Sequence, residues 1–157
     1  MQGIRPSLWF DTQAEEAATF YTSLFKNSRI VKVMHYGEAG PREAGMVLAV
    51  EFELDGRAFT AINGGPEFTF DEAISFEIEC DDQAEVDHYW QALGDGGEHG
   101  PCGWLKDRYG VSWQVVPRQM YNLVFGDDAK KAAAATTAML SMGKLDVAEL
   151  QRAYDEA

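Results

Sequence analysis

The segment "CDDQAEVDHYWQAL", residues 80–93, repeats the pattern of an earlier segment, "FDTQAEEAATFYTSLF", residues 10–25. Each has an acidic turn, then Gln-Ala-Glu, then an aromatic pair and a leucine. An internal repeat of this kind indicates that one structural unit occurs twice in the chain.

Each repeat is predicted to be a strand followed by a helix. The runs "SLWF" and "ISFEIEC" precede the helices, and the second run alternates apolar with polar residues, as a half-buried strand does. Asp11 or Thr12, and Asp81 or Asp82, are predicted to cap the two helices with their side-chain oxygens. The apolar residues recur on one face of each helix: Ala17, Phe20, Tyr21 and Leu24 in the first, and Val86, Tyr89, Trp90 and Leu93 in the second.

More strands follow each helix. After the first come "RIVKVMHYG", "GMVLAVEFELDG" and "RAFTAING", with Asp55-Gly56 as a hairpin turn between the last two. After the second, the glycine-rich "GDGGEHGPCG" leads into "GWLKDRYG" and "VSWQVVP". The sequence therefore predicts an α+β fold with two βαβββ modules, residues 4–66 and 67–117.

The remaining residues, 118–157, have a different character. The segments "DDAKKAAAATTAMLSM" and "DVAELQRAYDEA" are helix-forming, each opens on aspartate, and Gly143 separates them. They predict a C-terminal appendage of two helices. The whole chain, residues 1–157, is interpreted as one domain.

Composition limits the partners. The chain has 157 residues and a net charge of −13, from 13 basic and 26 acidic residues. Binding to nucleic acid requires clustered Lys and Arg, so we expect no nucleic-acid partner, whereas neutral and cationic ligands fit. No apolar run is long enough for a membrane span, and the N-terminus lacks signal-peptide features, which predicts a cytoplasmic protein without a membrane partner. Cys80 and Cys102 form no disulfide framework and are expected to be free thiols.

Four segments carry a resemblance to a known family: "LWFDTQAEEAATFY", "NGGPEFTFDEAISFEIEC", "CGWLKDRYGVSWQVVP" and "AMLSMGKLDVAELQRAY". Together they resemble the PhnB-like family of the vicinal-oxygen-chelate superfamily, some of whose members are named demethylubiquinone methyltransferases. The resemblance covers nearly the whole chain. It implies that the two modules form a cupped mixed sheet around a pocket, usually in a homodimer.

Exposed sheet edges and apolar residues of the C-terminal helices also favour a homodimer, because a partner can cover them. The superfamily includes glyoxalases, extradiol dioxygenases, fosfomycin-inactivating enzymes and bleomycin-binding proteins. The fold therefore leaves the activity open.

The resemblance also implies where a metal would bind, through His, Glu or Gln on four strands. The first of these positions falls on Ile4 to Pro6, none of which can serve as a ligand. The others fall on a strand that offers only the carboxamide of Asn63, on Ser75, and on Gln114. One weak ligand in four predicts no metal site, and we expect no cofactor.

Strand alternation suggests which residues line the pocket. It places Ser112, Gln114 and Val116 on one face of the last strand, and Ser75, Glu77 and Glu79 on one face of the strand that opens the second module. An aromatic pocket with carboxamides and carboxylates suits a small organic molecule, a cationic one included. The alternative for each aromatic residue is an ordinary place in the core. With the resemblance, the candidate ligand-pocket residues are Trp9, Asn63, Phe68, Ser75, Glu77, Cys102, Trp104, Ser112 and Gln114.

The three histidines, at positions 35, 88 and 99, match no compact metal-ligand motif. His99 lies three residues before Cys102 in the glycine-rich loop, and a Cys-His pair can act as a nucleophile because the histidine lowers the thiol pKa. His99 and Cys102 are therefore the candidate catalytic residues. The alternative for Cys102 is packing at a loop corner.

Two function classes remain. The first is a metal-free protein that binds a small organic molecule, and the alternative is an enzyme of the glyoxalase and dioxygenase superfamily with an unknown substrate. The usual S-adenosylmethionine enzymes need a glycine-rich loop between a parallel strand and a helix. Here "GEAG", "NGGP" and "GDGGEHG" connect strands or follow a helix. A methyltransferase activity thus rests on the family name alone.

Overall fold

A computed structural model describes residues 3–157 of the protein. The chain divides into two compact units, with the boundary between Thr69 and Phe70. Each unit contains one four-stranded mixed sheet and helices, which confirms the predicted α+β class. No helix among the described residues has the length and apolar character needed to cross a membrane.

The first unit contains β1 (Ser7–Phe10), α1 (Ala14–Leu24), β2 (Arg29–His35), β3 (Val47–Leu54) and β4 (Arg57–Asn63). The strand order is β1-β4-β3-β2, with β1 parallel to β4 and the other pairs antiparallel. Asp55 and Gly56 have φ angles of 48° and 72°. Positive φ at both central residues is what a type I′ turn requires, so the predicted hairpin between β3 and β4 is confirmed.

The second unit repeats this topology with β5 (Ser75–Cys80), α2 (Gln83–Gly94), β6 (Glu98–His99), β7 (Trp104–Lys106) and β8 (Ser112–Pro117). The strand order is β5-β8-β7-β6, and β5 runs parallel to β8. The two predicted βαβββ modules are therefore confirmed.

Three helices end the chain: α3 (Gln119–Val124), α4 (Ala129–Leu140) and α5 (Val147–Asp155). The sequence predicts α4 and α5 but not α3, because α3 follows β8 directly and has no side-chain cap. The three helices and the end of β8 share one apolar core, which contains Val116, Met120, Leu123, Ala135, Leu145 and Leu150.

Helix α2 begins as predicted, with the Asp82 side chain accepting a hydrogen bond from the Glu85 N–H. Helix α1 does not begin with a cap from Asp11 or Thr12. The Ala14 N–H instead donates to Oδ1 of Asn63 at 2.9 Å. The reason lies in the pairing of β1 with β4, which places Asn63 beside Phe10 just before the helix begins. Helix α1 is thus capped from a distant strand.

Candidate functional site

Strand pairing in the second unit brings five of the predicted pocket residues to one face of the sheet. Ser75 pairs with Ser112, and Glu77 pairs with Gln114. Trp104 of β7, the strand on the opposite edge of β8, also pairs with Gln114. Residues paired across strands share a face, so alternation correctly groups the residues of β5 and β8, and Trp104 joins them through its pairing with Gln114.

An open cavity of about 440 Å³ lies within the second unit. Its volume is in the range of small-molecule sites. The cavity is lined by Glu72, Glu98, Gly100, Pro101, Trp104, Leu105, Lys106 and Ser112.

Ser112 carries the clearest signal in this cavity. The residue is only 1% exposed. Its hydroxyl oxygen is buried and has no hydrogen-bond partner among the described residues. Buried hydroxyl groups normally have a partner, because leaving one unpaired costs roughly 1–3 kcal/mol. Ser112 lines the cavity, so its hydroxyl is a buried polar group of the wall that lacks a protein partner.

The charged groups of the cavity wall are partly neutralised. The Lys106 ammonium forms an ion pair with Glu72. The hydrogen bond from Lys106 lowers the pKa of the Glu72 carboxyl. The same hydrogen bond, followed by the charges of Glu72, Glu98 and Asp71, raises the pKa of Lys106. The cavity wall contains two carboxylates, Glu72 and Glu98, and one ammonium, Lys106, so its net charge is negative.

Gln114 and Ser75 are engaged with each other. The Gln114 amide nitrogen lies 2.9 Å from the Ser75 hydroxyl, to which it donates. These are two of the four positions at which the resemblance would place metal ligands. The third, Asn63, uses its oxygen to accept from Ala14, and Ile4 to Pro6 lie before the start of β1.

The four positions therefore do not fit a metal ion. Among residues 3–157, no group of three or more His, Cys, Asp or Glu side chains could hold one. The absence of a bound metal stays a prediction for the purified protein.

Replacing Gln114 with glutamate is expected to lower the free energy of unfolding by about 1 kcal/mol at pH 7, because a second carboxylate would then stand beside Glu77. Repulsion between them raises the pKa of the pair in the folded protein. The destabilisation is thus present above the carboxyl pKa range and disappears as the pH falls towards about 4. Urea denaturation at pH 7 and at about pH 4 measures this loss of stability.

Gln91→Glu is the control on the exposed surface of α2, where repulsion from Asp87, four residues earlier, should cost only about 0.2–0.5 kcal/mol. Calorimetry with Zn²⁺ and Ni²⁺ tests the metal site in Gln114→Glu. Tight binding of either ion would contradict the conclusion that the other three positions lack donors.

The side chain of Asn63 is buried and forms its hydrogen bonds with the protein backbone. It is 2% exposed, its oxygen accepts from the Ala14 N–H, and its nitrogen donates to the Val47 carbonyl at 3.0 Å. The Tyr36 hydroxyl donates to its backbone carbonyl at 2.7 Å. The side chain therefore joins α1, β3 and β4.

Trp9 and Phe68 form an aromatic pair in the first unit. Their ring centroids are 5.0 Å apart in an edge-to-face arrangement. The Trp9 ring nitrogen donates to the Gly65 carbonyl at 2.8 Å. Phe68 is 66% exposed, so this pair presents an apolar surface.

His99 and Cys102 have different partners. The His99 ring stacks on Trp90 at 4.5 Å, and its Nε2 lies 3.0 Å from the Trp90 carbonyl oxygen. The Cys102 thiol donates to the Met139 carbonyl oxygen at 3.5 Å, and its N–H donates to the Met142 carbonyl oxygen. His99 is thus held by α2 and Cys102 by the end of α4. Their catalytic role stays a prediction.

Cys80 is the more deeply buried thiol, with no exposed surface. Burial, followed by the charges of Glu85, Asp81 and Asp82, raises its pKa to about 12. A thiol that stays protonated is a poor nucleophile, so Cys80 belongs to the core.

The sequence-based pocket omits Glu72, Glu98 and Lys106. Alternation through "WLK" could have placed Lys106 beside Trp104 on the same face. Glu72 lies in an irregular segment before β5. Its contact with Lys106 follows from the path of the chain, which no local pattern reveals.

Comparison with known proteins gives consistent results. A sequence model of the family described as 3-demethylubiquinone-9 3-methyltransferase matches residues 2–116. A PhnB protein from Bacillus cereus is 38% identical, with a TM-score of 0.67, over 74% of this chain and 99% of that one. No curated protein matches the chain.

Two more distant structures share the fold. A protein from Pseudomonas aeruginosa is 21% identical with a TM-score of 0.61, over 74% of this chain and 98% of that one. The fosfomycin resistance protein FosX from Mesorhizobium loti is 13% identical with a TM-score of 0.52, over 74% of this chain and 91% of that one.

Proposed function

This chain belongs to the PhnB-like 3-demethylubiquinone-9 3-methyltransferase family of the vicinal-oxygen-chelate superfamily, and on that premise we propose that it binds a small organic molecule without a metal ion. The ligand occupies the cavity of the second unit. The unpartnered hydroxyl of Ser112 is the observation that carries the proposal.

The cavity wall defines the class of ligand. Trp104 offers an aromatic surface, and the negative balance of Glu72, Glu98 and Lys106 favours neutral or cationic molecules over anions. The net charge of −13 also favours neutral or cationic ligands over anions. The homodimer expected from the resemblance stays a prediction.

Binding is proposed rather than methyl transfer. The three connections that lead from a strand into a helix, residues 11–13, 81–82 and 118, contain no glycine. In the usual S-adenosylmethionine enzymes, a glycine-rich turn at this place lets the backbone approach the cofactor. The methyltransferase activity in the family name therefore has no support from these turns.

Replacing Ser112 with alanine should weaken ligand binding and stabilise the free protein. The lost hydrogen bond should lower affinity by about threefold to tenfold, while removal of an unpaired buried hydroxyl should raise the free energy of unfolding by about 1 kcal/mol. A thermal-shift screen of neutral and cationic aromatic molecules identifies ligands. Calorimetry and urea denaturation then compare the variant with the wild type.

Ser23→Ala is the matched control, because Ser23 lies on the exposed face of α1 in the first unit. It should change neither the affinity nor, beyond a few tenths of a kcal/mol, the stability. If Ser112→Ala binds the screened ligands as tightly as the wild type does, the ligand does not occupy this cavity.

A further inference from the structure

Three carboxylates lie on β5 or just after it, and two of them, but not Glu77, pair with an arginine. Arg118 contacts Glu79 at 3.3 Å and Asp81 at 2.6 Å. Glu77, on the same face as Glu79, forms no ion pair with any residue that the structure describes. Its hydrogen-bond donor is the neutral hydroxyl of Tyr121. No cationic side chain among residues 3–157 pairs with the Glu77 carboxylate on the sheet face.

Tyr121 fixes the Glu77 carboxylate without neutralising it. The hydrogen bond to Glu77, then partial burial and the charges of Glu77 and Glu79, raise the pKa of the Tyr121 phenol to about 12. The phenol therefore remains a donor across the physiological range. It donates to Oε1 of Glu77, so Oε2 is available to a ligand. Glu77 is exposed.

Glu77 and Ser112 are diagonal neighbours on this face of the sheet. Ser112 pairs with Ser75, and Glu77 is two residues beyond Ser75 on the same strand. The spacing of strands and residues puts the Glu77 and Ser112 backbones roughly 8 Å apart along a diagonal. A small molecule can span that distance.

We infer that Glu77, held in place by Tyr121 of α3, makes the second unit selective for ligands with a protonated amine. The amine binds Glu77, and a hydrogen-bonding group at the other end of the ligand meets Ser112. This inference rests on the proposed function, because the ligand that meets Ser112 is the one proposed for the cavity, and Glu77 stands beside that lining.

The positioning residue lies outside the segment that the family model matches. The family match ends at residue 116, and Tyr121 follows in α3. The C-terminal helices therefore form their own apolar core and also supply the Tyr121 hydroxyl to the proposed ligand-binding face. Selectivity for amines depends on this C-terminal segment.

The test uses matched pairs of aromatic amines and their N-acetyl derivatives, such as tyramine and N-acetyltyramine. Calorimetry measures the affinity of each for the wild type, Glu77→Gln and Tyr121→Phe. The wild type should prefer the amines by about tenfold or more, since a hydrogen bond between two charged groups is among the stronger ones. Glu77→Gln should abolish the preference and leave N-acetyl binding unchanged, and Tyr121→Phe should reduce the preference.

Glu79→Gln is the control, because it removes a neighbouring carboxylate that Arg118 already neutralises. It should keep the preference for amines. A preference that came from surface charge in general would instead weaken in this variant. If amines and N-acetyl derivatives bind the wild type equally, or if Glu77→Gln keeps the preference, the inference fails while the proposed function stands. If no member of either series binds the wild type at millimolar concentration, the inference fails, and the thermal-shift screen decides the proposed function.

Discussion

Replacing Gly103 with alanine is expected to lower the free energy of unfolding by about 3 kcal/mol or more. Gly103 has a φ angle of 82°, a conformation that costs a residue with a side chain about 1–2 kcal/mol. A β-carbon there would lie 2.7 Å from the Val115 carbonyl oxygen and 3.1 Å from Cδ1 of Leu145. Relieving such an overlap in a packed region typically costs a further 1–3 kcal/mol or so.

The Gly103 backbone also connects β8 to the C-terminal helices. Its N–H donates to the Gly143 carbonyl at 2.8 Å, and its carbonyl accepts from the Val115 N–H at 2.8 Å. Moving Val115 or Leu145 to make room for a methyl group would strain both bonds. The next residue, Trp104, lines the cavity, so the substitution should also weaken ligand binding.

Gly110→Ala separates the two causes. Gly110 has a φ of 86°, but no atom lies within 4 Å of the position that its β-carbon would take. This variant should lose only the conformational part, about 1–2 kcal/mol. Urea denaturation of both variants gives the comparison. Equal losses would show that backbone conformation, and not the contact with Val115 and Leu145, makes glycine necessary at position 103.

The modules could be predicted from sequence because their signals are local and repeated. Period-two alternation in β5 and β8 fixes which side chains share a face, whatever the rest of the chain does. The parallel pairing of the two strands then brings Ser75 beside Ser112 and Glu77 beside Gln114. Four candidate pocket residues of the second unit are therefore grouped correctly on one face of the sheet.

The features that sequence analysis misses depend on contacts between distant segments. The cap of α1 comes from Asn63, which is 49 residues away from Ala14. The donor to Glu77 is Tyr121, 44 residues away. Neither contact leaves a pattern in its own segment.

The burial of a polar residue is similarly hidden. Asn63 and Ser112 are both almost fully buried, yet the side chain of Asn63 has protein partners and the hydroxyl of Ser112 has none. Sequence alone gives both residues the same pocket interpretation. Only the hydrogen-bond partners separate a residue that joins strands from one whose hydroxyl is left unpaired beside the cavity.

Replacing Asp107 with alanine should cost about 3 kcal/mol or more of stability. Asp107 is 2% exposed and follows β7 in the turn to β8. Its Oδ1 accepts from the N–H groups of Tyr109 and Val111 at 2.9 and 3.1 Å, and its Oδ2 accepts from the Trp113 ring nitrogen at 2.9 Å. Alanine leaves buried donors at Val111 and Trp113 unpaired, and each costs roughly 1–3 kcal/mol.

Two further variants show whether the loss comes from these hydrogen bonds. Asp71→Ala removes an exposed aspartate that accepts a hydrogen bond from a nearby backbone group, the Ala73 N–H at 2.9 Å, and should cost less than about 1 kcal/mol. Asp107→Asn keeps an acceptor for the turn but directs an amide N–H at the Trp113 ring nitrogen. Adding Trp113→Phe removes that conflict, so the double variant should lose less stability than the sum of the single changes. Strict additivity, measured by urea denaturation, would mean that the bond between Asp107 and Trp113 does not hold the turn against β8.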